Sequence, residues 1–415
     1  MKKVLSILLS VAMIVLCFAA CGKTDGDKSS TDKAAKVKVG FIFLHDENST
    51  YDKNFITAAE EACKKAGVEI LKKTNISETQ ACYDAAAELV DEGCNVIFAD
   101  SFGHEPYIIQ AAKKFPEVQF LHATGTKAHT EGLSNYLNAF ASIYEGRYLA
   151  GVAAGMKLNE MISSGKITAD KAKMGYVGAY TYAEVISGYT SFYLGAKSVC
   201  PSVTMEVTFT GSWYDETAEK EAAQKLINNG CVLISQHADS MGAPTACEAA
   251  GVPNVSYNGS TVSACPNTFI VSSRIDWAPY LEYAIDCVKN GKAIDTDWTG
   301  TLSTGSVVLT DVNTKAAAEG TQAKIDEVKA ELESGKLHVF DTSAFTVTVS
   351  DSKNKNATVD ADGHLTGYKA DIDSDADNTG DTEVVSDGYF HESEKRSAPC
   401  FDVQIDGITL LDTKF

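Results

Sequence analysis

The sequence lacks the local signatures of the common enzyme classes. Its 415 residues contain no H-E-x-x-H, no G-x-S-x-G, no Walker loop and no G-x-G-x-x-G, so the motifs of zinc peptidases, serine hydrolases and nucleotide-dependent enzymes are missing. The eight histidines are scattered without metal-ligand spacing. We therefore expect no catalysis, no metal site and no other cofactor.

Positive charge is also scarce. Lysine and arginine total 36 against 56 aspartates and glutamates, which gives a net charge of −20. A protein this acidic repels the phosphates of nucleic acids and the anionic head groups of lipids. The composition excludes nucleic-acid binding and direct binding to a membrane surface.

The apolar run at the N-terminus is too short to favour a membrane-spanning helix. Residues 4–18 are apolar, whereas a spanning helix needs about 20 residues. The run follows two lysines and ends in Ala-Ala-Cys21, which predicts an export signal over residues 1–20. This ending resembles a bacterial lipobox, in which Cys21 would carry lipid; the alternative is an ordinary cleaved signal with an incidental cysteine. Residues 21–36 then comprise the lipidated cysteine and a flexible polar tether, anchored on the extracytoplasmic face of the cell membrane.

The chain has no C-x-x-C pair among its 11 cysteines. Removal of Cys17 with the signal and lipidation of Cys21 leave nine, an odd number that cannot pair completely. Most of the nine lie in apolar helical or strand-like patterns, where a free cysteine behaves as a small hydrophobic residue. We predict mostly reduced cysteines, with one disulfide left open.

Strand and helix patterns alternate through two successive blocks, residues 37–122 and 145–272. In the first block, helical patterns end at Gly67, Gly93 and before Pro116, and each is followed by an apolar strand. Such alternation predicts a parallel sheet with helices on both faces. Two doubly wound units predict an α/β protein with two similar lobes, whose ligand lies beyond the carboxyl ends of the strands.

The C-terminal part has a different composition. Residues 351–387 are rich in Asp, Asn, Thr and Gly, which predicts a solvated acidic insertion. Its carboxylates at 371–377 are spaced as in a calcium loop, but Ala376 and Thr382 stand where such a loop needs glycine and glutamate. Residues 400–407 alternate like a strand that rejoins the body.

Eight segments match one known family in order and spacing. They are residues 101–103, 111–120, 144–155, 174–178, 184–186, 212–215, 236–240 and 275–280. The chain resembles the basic membrane protein family of ABC transporter substrate-binding lipoproteins, whose studied members bind purine nucleosides or purine bases. The resemblance runs from about Val37 to the end of the chain and is weakest over the acidic insertion.

The resemblance implies a type I periplasmic-binding-protein-like fold, with two doubly wound parallel-sheet lobes joined by a multi-strand hinge. We expect the first lobe to comprise residues 37–141 and 274–300, and the second to comprise residues 142–273 and 301–415. The implied function is to bind a purine nucleoside or nucleobase between the lobes. The protein would act as a monomer that delivers this ligand to an ABC permease driven by a separate ATPase.

The resemblance also points to ligand-binding residues of the second lobe. Trp213 stands where the family places a stacking aromatic residue, and His237 and Asp239 can donate and accept hydrogen bonds on a ligand edge. Asn258 and Glu184 are further candidates. For each, the alternative is a structural role in packing, hinge support or helix capping.

The first-lobe loop departs from the family. Relatives that are similar in the second lobe carry a glycine-tryptophan pair there, followed by histidine and aspartate. The candidates in the first lobe and at the crossover between lobes are Tyr51 and Phe55 for a ring face, Asn54 for the ligand edge, Ser101 and Phe102 at a strand end, and Trp277. We interpret Arg147 as a residue that fixes a helix end rather than one that touches the ligand.

Two other functions stay open from the sequence. One is an extracellular enzyme that processes nucleosides, which would need a nucleophile and base, or paired carboxylates, in the cleft. The other is a binding protein of the same fold that serves signalling rather than transport.

Overall fold

The computed structural model describes residues 36–350, 352–372 and 380–413. The predicted export signal, Cys21, residues 22–35 of the predicted tether and residues 373–377 of the Asp-rich run lie outside the described residues. In the part that is described, no helix combines the length and the apolar character needed to cross a membrane.

The described residues form strands of three to seven residues in the two main sheets and strands of two to six residues in the two small sheets near the C-terminus. In chain order they are β1 (Lys38–Ile42), β2 (Glu69–Lys73), β3 (Val96–Ala99), β4 (Gln119–Ala123), β5 (Tyr136–Ala141), β6 (Lys173–Gly178), β7 (Thr204–Phe209), β8 (Leu233–Gln236), β9 (Asn254–Tyr257), β10 (Phe269–Ile275), β11 (Asp297–Gly300), β12 (Val307–Leu309), β13 (Ala357–Val359), β14 (Leu365–Ala370), β15 (Thr382–Glu383), β16 (Val385–Ser386), β17 (Tyr389–Phe390) and β18 (Ile408–Leu410).

Helices alternate with the strands of the main sheets. They are α1 (Thr50–Ala66), α2 (Gln80–Asp91), α3 (Glu105–Lys114), α4 (Ala128–Glu131), α5 (Ile143–Ser163), α6 (Ala183–Val199), α7 (Glu216–Asn228), α8 (Gly242–Ala250), α9 (Ala278–Lys289) and α10 (Thr321–Glu333).

Helix α1 shows how the local sequence sets these bounds. The helix begins at Thr50 because the Ser49 side chain caps it by accepting a hydrogen bond from the Asp52 N–H. It ends at Gly67, which adopts a left-handed φ of 65°, a conformation that glycine tolerates best.

The first lobe is built on a six-stranded parallel sheet of order β11-β5-β4-β3-β1-β2. Helices α1 and α9 pack on one face, and α2 and α3 pack on the other. Because both faces are covered, central strands such as β3 are buried along their whole length, as expected for a parallel sheet.

The second lobe is built on a seven-stranded sheet of order β12-β10-β9-β8-β6-β7-β18. Only β12 runs antiparallel to its neighbour among these strands. Helices α5 and α6 cross so closely that a Cβ atom added to Gly151 would lie 2.0 Å from the Phe192 carbonyl oxygen. Glycine is required here because two helix backbones meet.

Between β1 and β12, the described chain passes from one lobe to the other three times, from β5 to α5, from β10 to α9 and from β11 to β12. This architecture confirms the predicted α/β fold with two parallel-sheet lobes. Strand β5 was not predicted, although it is completely buried.

The C-terminal appendage, defined here as residues 337–413, packs into the main core. The prediction of a solvated insertion is wrong for its described part, because Leu365 and Tyr368 of β14 are 2% and 5% exposed and belong to the largest apolar cluster. Phe401 stacks on Phe340 with ring centroids 4.1 Å apart, and Phe340 in turn meets Tyr144 of α5 at 5.4 Å.

The appendage also reaches the first-lobe sheet. The Ser397 N–H donates to Asp297 Oδ2 at 2.7 Å, and the Asn138 amide donates to Ser397 Oγ at 3.0 Å. The predicted terminal strand over 400–407 is wrong. The strand that rejoins the second-lobe sheet is β18, beside β7, whereas within 400–407 only Ile405 forms a bridge, an isolated one.

The nine cysteines of the described residues are all free and buried. Burial raises the pKa of the Cys63 and Cys231 thiols to about 12. These thiols are therefore unreactive, small apolar core residues.

Candidate functional site

A cavity lies between the two lobes, at the carboxyl ends of both parallel sheets. Its volume is about 20 Å³, enough for about one water molecule, so the two lobes lie closer together here than a bound small molecule would require. Its lining consists of Leu44, His45, Tyr51, Asp52, Ser101, Phe102 and Thr124 from the first lobe, and of Glu184, Trp213, His237, Asp239 and Tyr257 from the second.

Direct contacts between the lobes close this cavity. The backbone N–H and the hydroxyl of Thr50, at the start of α1, donate to the Asp239 carbonyl oxygen at 3.0 and 3.1 Å. The rings of Phe102 and Tyr182 meet from opposite lobes with centroids 5.3 Å apart. A closed cleft excludes water, so polar contacts within it are stronger than in solvent.

Each lobe contributes two aromatic rings to the lining. These are Tyr51 and Phe102 from the first lobe and Trp213 and Tyr257 from the second. The Tyr51 hydroxyl donates to the Asp100 carbonyl oxygen at 2.7 Å, which fixes that ring. Rings on both sides suit a flat ligand, since each base stacked on an aromatic side chain contributes about 1–3 kcal/mol.

Two carboxyl groups on opposite sides of the cavity have pKa values that are shifted in opposite directions. For Asp52, burial would raise the pKa, but hydrogen bonds from His45 and Ser49 outweigh it and the pKa is lowered. For Asp239, burial and the nearby charge of Asp52 raise the pKa well above its usual range. The Asn258 amide donates to Asp239 Oδ1 at 3.2 Å. The first lobe thus offers an ionised acceptor, and the second a carboxyl group that favours its protonated form.

Glu184 and His237 form a second polar pair. Glu184 lies in the first turn of α6, and His237 directly follows β8. His237 Nε2 lies 3.4 Å from Glu184 Oε1, and both side chains line the cavity. A ligand edge placed against this pair meets two polar atoms at hydrogen-bonding separation.

No lysine or arginine is among the twelve lining residues. The cavity therefore offers no cation to a phosphate group, while its carboxyl groups would repel one. Across the residues that the structure describes, no group of three or more His, Cys, Asp or Glu side chains could hold a metal ion.

The structure brings seven of the predicted site residues together around the cavity: Tyr51, Ser101, Phe102, Glu184, Trp213, His237 and Asp239. The four others lie elsewhere. Asn54 and Asn258 line a neighbouring open groove between the lobes. Phe55 and Trp277 are each 1% exposed and stack on each other in the first-lobe core, with centroids 4.2 Å apart.

Sequence reasoning missed five lining residues: Leu44, His45, Asp52, Thr124 and Tyr257. Most were within reach of the rule that ligands lie at carboxyl strand ends. His45 follows β1, Thr124 follows β4, and Tyr257 is the last residue of β9. At the end of β9 the sequence predicted Asn258, which is the residue after Tyr257. Arg147, interpreted as fixing a helix end, is 1% exposed, is not among the lining residues, and donates to the Gln236 carbonyl oxygen and to His237.

Comparison with known proteins gives a family. A family model described as "ABC transporter substrate-binding protein PnrA-like" matches residues 37–336. A purine-binding protein of Brucella abortus is 30% identical over 311 residues, which cover 74% of this chain and 83% of that protein.

Two further relatives carry different ligand names. A putative ABC transporter glucose-binding protein of Haloferax volcanii is 28% identical over 335 residues, covering 78% of this chain and 80% of the relative. An ABC transporter nucleoside-binding protein, BmpA, of Lactococcus lactis is 24% identical over 256 residues, covering 60% and 68%.

Solved structures agree on the fold. An ABC transporter solute-binding protein of Aeropyrum pernix superposes with a TM-score of 0.61 at 17% identity, covering 76% of this chain and 94% of that one. One from Conexibacter woesei has a TM-score of 0.59 at 21% identity, covering 73% and 98%.

Proposed function

The chain belongs to the PnrA-like family of ABC transporter substrate-binding proteins, and on this premise we propose that it is a lipid-anchored receptor on the extracytoplasmic face of the cell membrane. It closes its lobes on a purine nucleoside or a related nucleobase and delivers this ligand to a permease driven by a separate ATPase. The family is one of solute-binding proteins rather than enzymes, so no catalysis is involved.

One observation carries this proposal: a closed interlobe cavity lined by aromatic rings from both lobes, beside carboxyl and imidazole groups. A purine has apolar faces for the rings and a hydrogen-bonding edge for the polar groups. The absence of lysine and arginine from the lining supports nucleosides or bases rather than nucleotides. Relatives named for purine and nucleoside binding support the same class.

Thermal-shift measurements on residues 36–415, which form one compact unit, test the ligand class. We expect adenosine, inosine, guanosine or hypoxanthine to raise the melting temperature, because a ligand at a hundredfold excess over its Kd adds about 2.7 kcal/mol of stability. The corresponding monophosphates should not. A shift with glucose and none with any purine would refute the proposal in favour of the sugar named for the archaeal relative.

Tryptophan fluorescence tests the site. The chain has three tryptophans, and only Trp213 lines the cavity. Trp213→Ala should abolish the ligand-induced change in emission and weaken binding about 5- to 150-fold, the equivalent of the 1–3 kcal/mol of one stacked base. Trp298→Ala is the matched control and should leave both unchanged. Equal losses in the two variants would exclude this cavity as the binding site.

A further inference from the structure

Arg147 is a buried cation that lies behind the cavity rather than in it. It occupies the second turn of α5 and is 1% exposed. Its Nη1 donates to the Gln236 carbonyl oxygen at 2.9 Å, and its Nη2 lies 3.1 Å from His237 Nδ1. The guanidinium carbon lies 3.3 Å from the centre of the Tyr257 ring. Arg147 thus touches two residues that line the cavity, His237 and Tyr257.

These contacts determine which nitrogen of His237 carries the proton. A guanidinium group has five N–H donors and no acceptor, and it stays protonated in proteins. His237 Nδ1 must therefore accept the hydrogen bond from Arg147, so the proton of the neutral ring resides on Nε2. Burial, followed by the charge of Arg147, lowers the pKa of His237 and disfavours a second proton.

The ring therefore presents its Nε2–H at the cavity, 3.4 Å from the Glu184 carboxylate. The cavity lining thus places a hydrogen-bond donor, His237 Nε2–H, next to an acceptor, the Glu184 carboxylate. A ligand edge that fits them carries an acceptor next to a donor, as the C6 carbonyl and N1–H of an oxopurine do.

We propose that Arg147 is a positioning residue that sets ligand specificity by fixing His237 as an Nε2–H donor and by holding the Tyr257 ring. The inferred ligand class, an oxopurine, rests on the proposed function, whereas the assignment of the His237 tautomer does not. Arg147 does not touch the ligand; it decides that the atom of His237 facing the ligand is a donor.

The tautomer is tested directly on the unliganded wild-type chain. With ¹⁵N-labelled histidine, the two ring nitrogens of His237 are assigned by their loss in His237→Gln. We expect Nδ1 unprotonated and Nε2 protonated, unchanged between pH 8 and pH 5.5. The charged or titratable groups that face this ring are Arg147, Tyr176, Glu184, Asp239 and Tyr257, with Asp52 and His45 across the cavity. A protonated Nδ1 would overturn the proposal, and this measurement needs no Arg147 variant to fold.

Inosine is the probe for the functional consequence. Arg147→Met should weaken inosine binding at least tenfold and make the affinity depend on pH between 6 and 7, because His237 is then free to change tautomer and charge. Arg147→Lys, which keeps a donor, should restore part of the affinity and flatten the pH profile. Arg274→Met, at the neighbouring groove, is the matched control and should change affinity less than twofold.

The outcomes separate the two claims. Wild-type affinity and pH profile in Arg147→Met would overturn the role of Arg147. A wild-type chain that has the Nε2–H tautomer but does not bind inosine would refute the proposed oxopurine ligand and support the assigned tautomer.

Discussion

Glu145 is a half-buried carboxylic acid whose ionisation should destabilise the fold. It lies in the first turn of α5, just after the chain has crossed from the first lobe to the second. Its carboxylate accepts a hydrogen bond of 3.4 Å from the Leu302 N–H, and burial raises its pKa from 4.5 to about 7. Replacement by glutamine keeps the shape and the acceptor oxygen but removes the ionisation.

The sign and size of the effect follow from linkage between protonation and folding. Between pH 4.5 and pH 7 the unfolded chain loses the Glu145 proton while the folded chain keeps it, so the free energy of unfolding of the wild type falls as pH rises. Across this window the loss approaches about 3 kcal/mol. Glu145→Gln should match the wild type near pH 4.5 and exceed its stability above pH 7.

Urea denaturation of both proteins at pH 5 and pH 8 measures this difference. We expect the stability of Glu145→Gln relative to the wild type to increase by about 2.5 kcal/mol between the two pH values. Glu117→Gln makes the same chemical change at an exposed position and should show less than about 0.5 kcal/mol. Parallel pH profiles for Glu145→Gln and the wild type would refute the reasoning.

Three further predictions concern packing and thiol chemistry. Gly151→Ala should lower the free energy of unfolding by at least about 1–3 kcal/mol, because its Cβ would meet the Phe192 carbonyl. Gly259→Ala, whose nearest neighbour would be 3.9 Å away, should have little effect in the same denaturation assay. Phe401→Ala should cost about 3–5 kcal/mol and lower the single melting transition of the whole protein, whereas Val349→Ala, at a residue 40% exposed, should not. A separate low-temperature transition in Phe401→Ala would show that the C-terminal appendage is not part of the main core. Finally, residues 36–415 should show nine thiols reactive with a chromogenic disulfide in guanidinium and almost none in the folded state, since all nine cysteines are free and buried; seven reactive thiols would establish the disulfide that the sequence left open.

The fold was predictable where apolar periodicity and glycine or proline stops coincide. Strand β5 was not predicted because the polar residue Asn138 interrupts its apolar pattern. That residue is nevertheless buried, and its amide is satisfied by the Gly125 N–H at 2.6 Å and by Asp297 at 2.9 Å. A polar residue of this kind can be assigned to the core only once its distant hydrogen-bond partners are known. In residues 400–407 the alternation correctly marks buried side chains, but alternation does not encode a pairing partner.

The candidate site was predictable to the level of strand ends, not of individual rings. Tyr51 and Phe55 are one helical turn apart on the same face of α1, with ring centroids 4.9 Å from each other. Tyr51 reaches the cavity, while Phe55, one turn further along, packs on Trp277 in the core. Their spacing in the sequence predicts that both rings face the interior of the protein. Only the position of α1 on its sheet decides where the core ends and the cavity begins.

The chemistry of the site depends on a juxtaposition that neither lobe contains alone. Asp52 and Asp239 are 187 positions apart in the chain and belong to different lobes, yet closure places them near enough for the charge of Asp52 to raise the pKa of Asp239. The same closure is held by Thr50, two positions before Asp52 in α1, through the Asp239 carbonyl. A change at Asp52 should therefore alter the protonation of a carboxyl group in the opposite lobe, and with it the hydrogen bonds available to a ligand. Each half of the site can be located from a linear pattern, but its donors and acceptors are set only when the two halves meet.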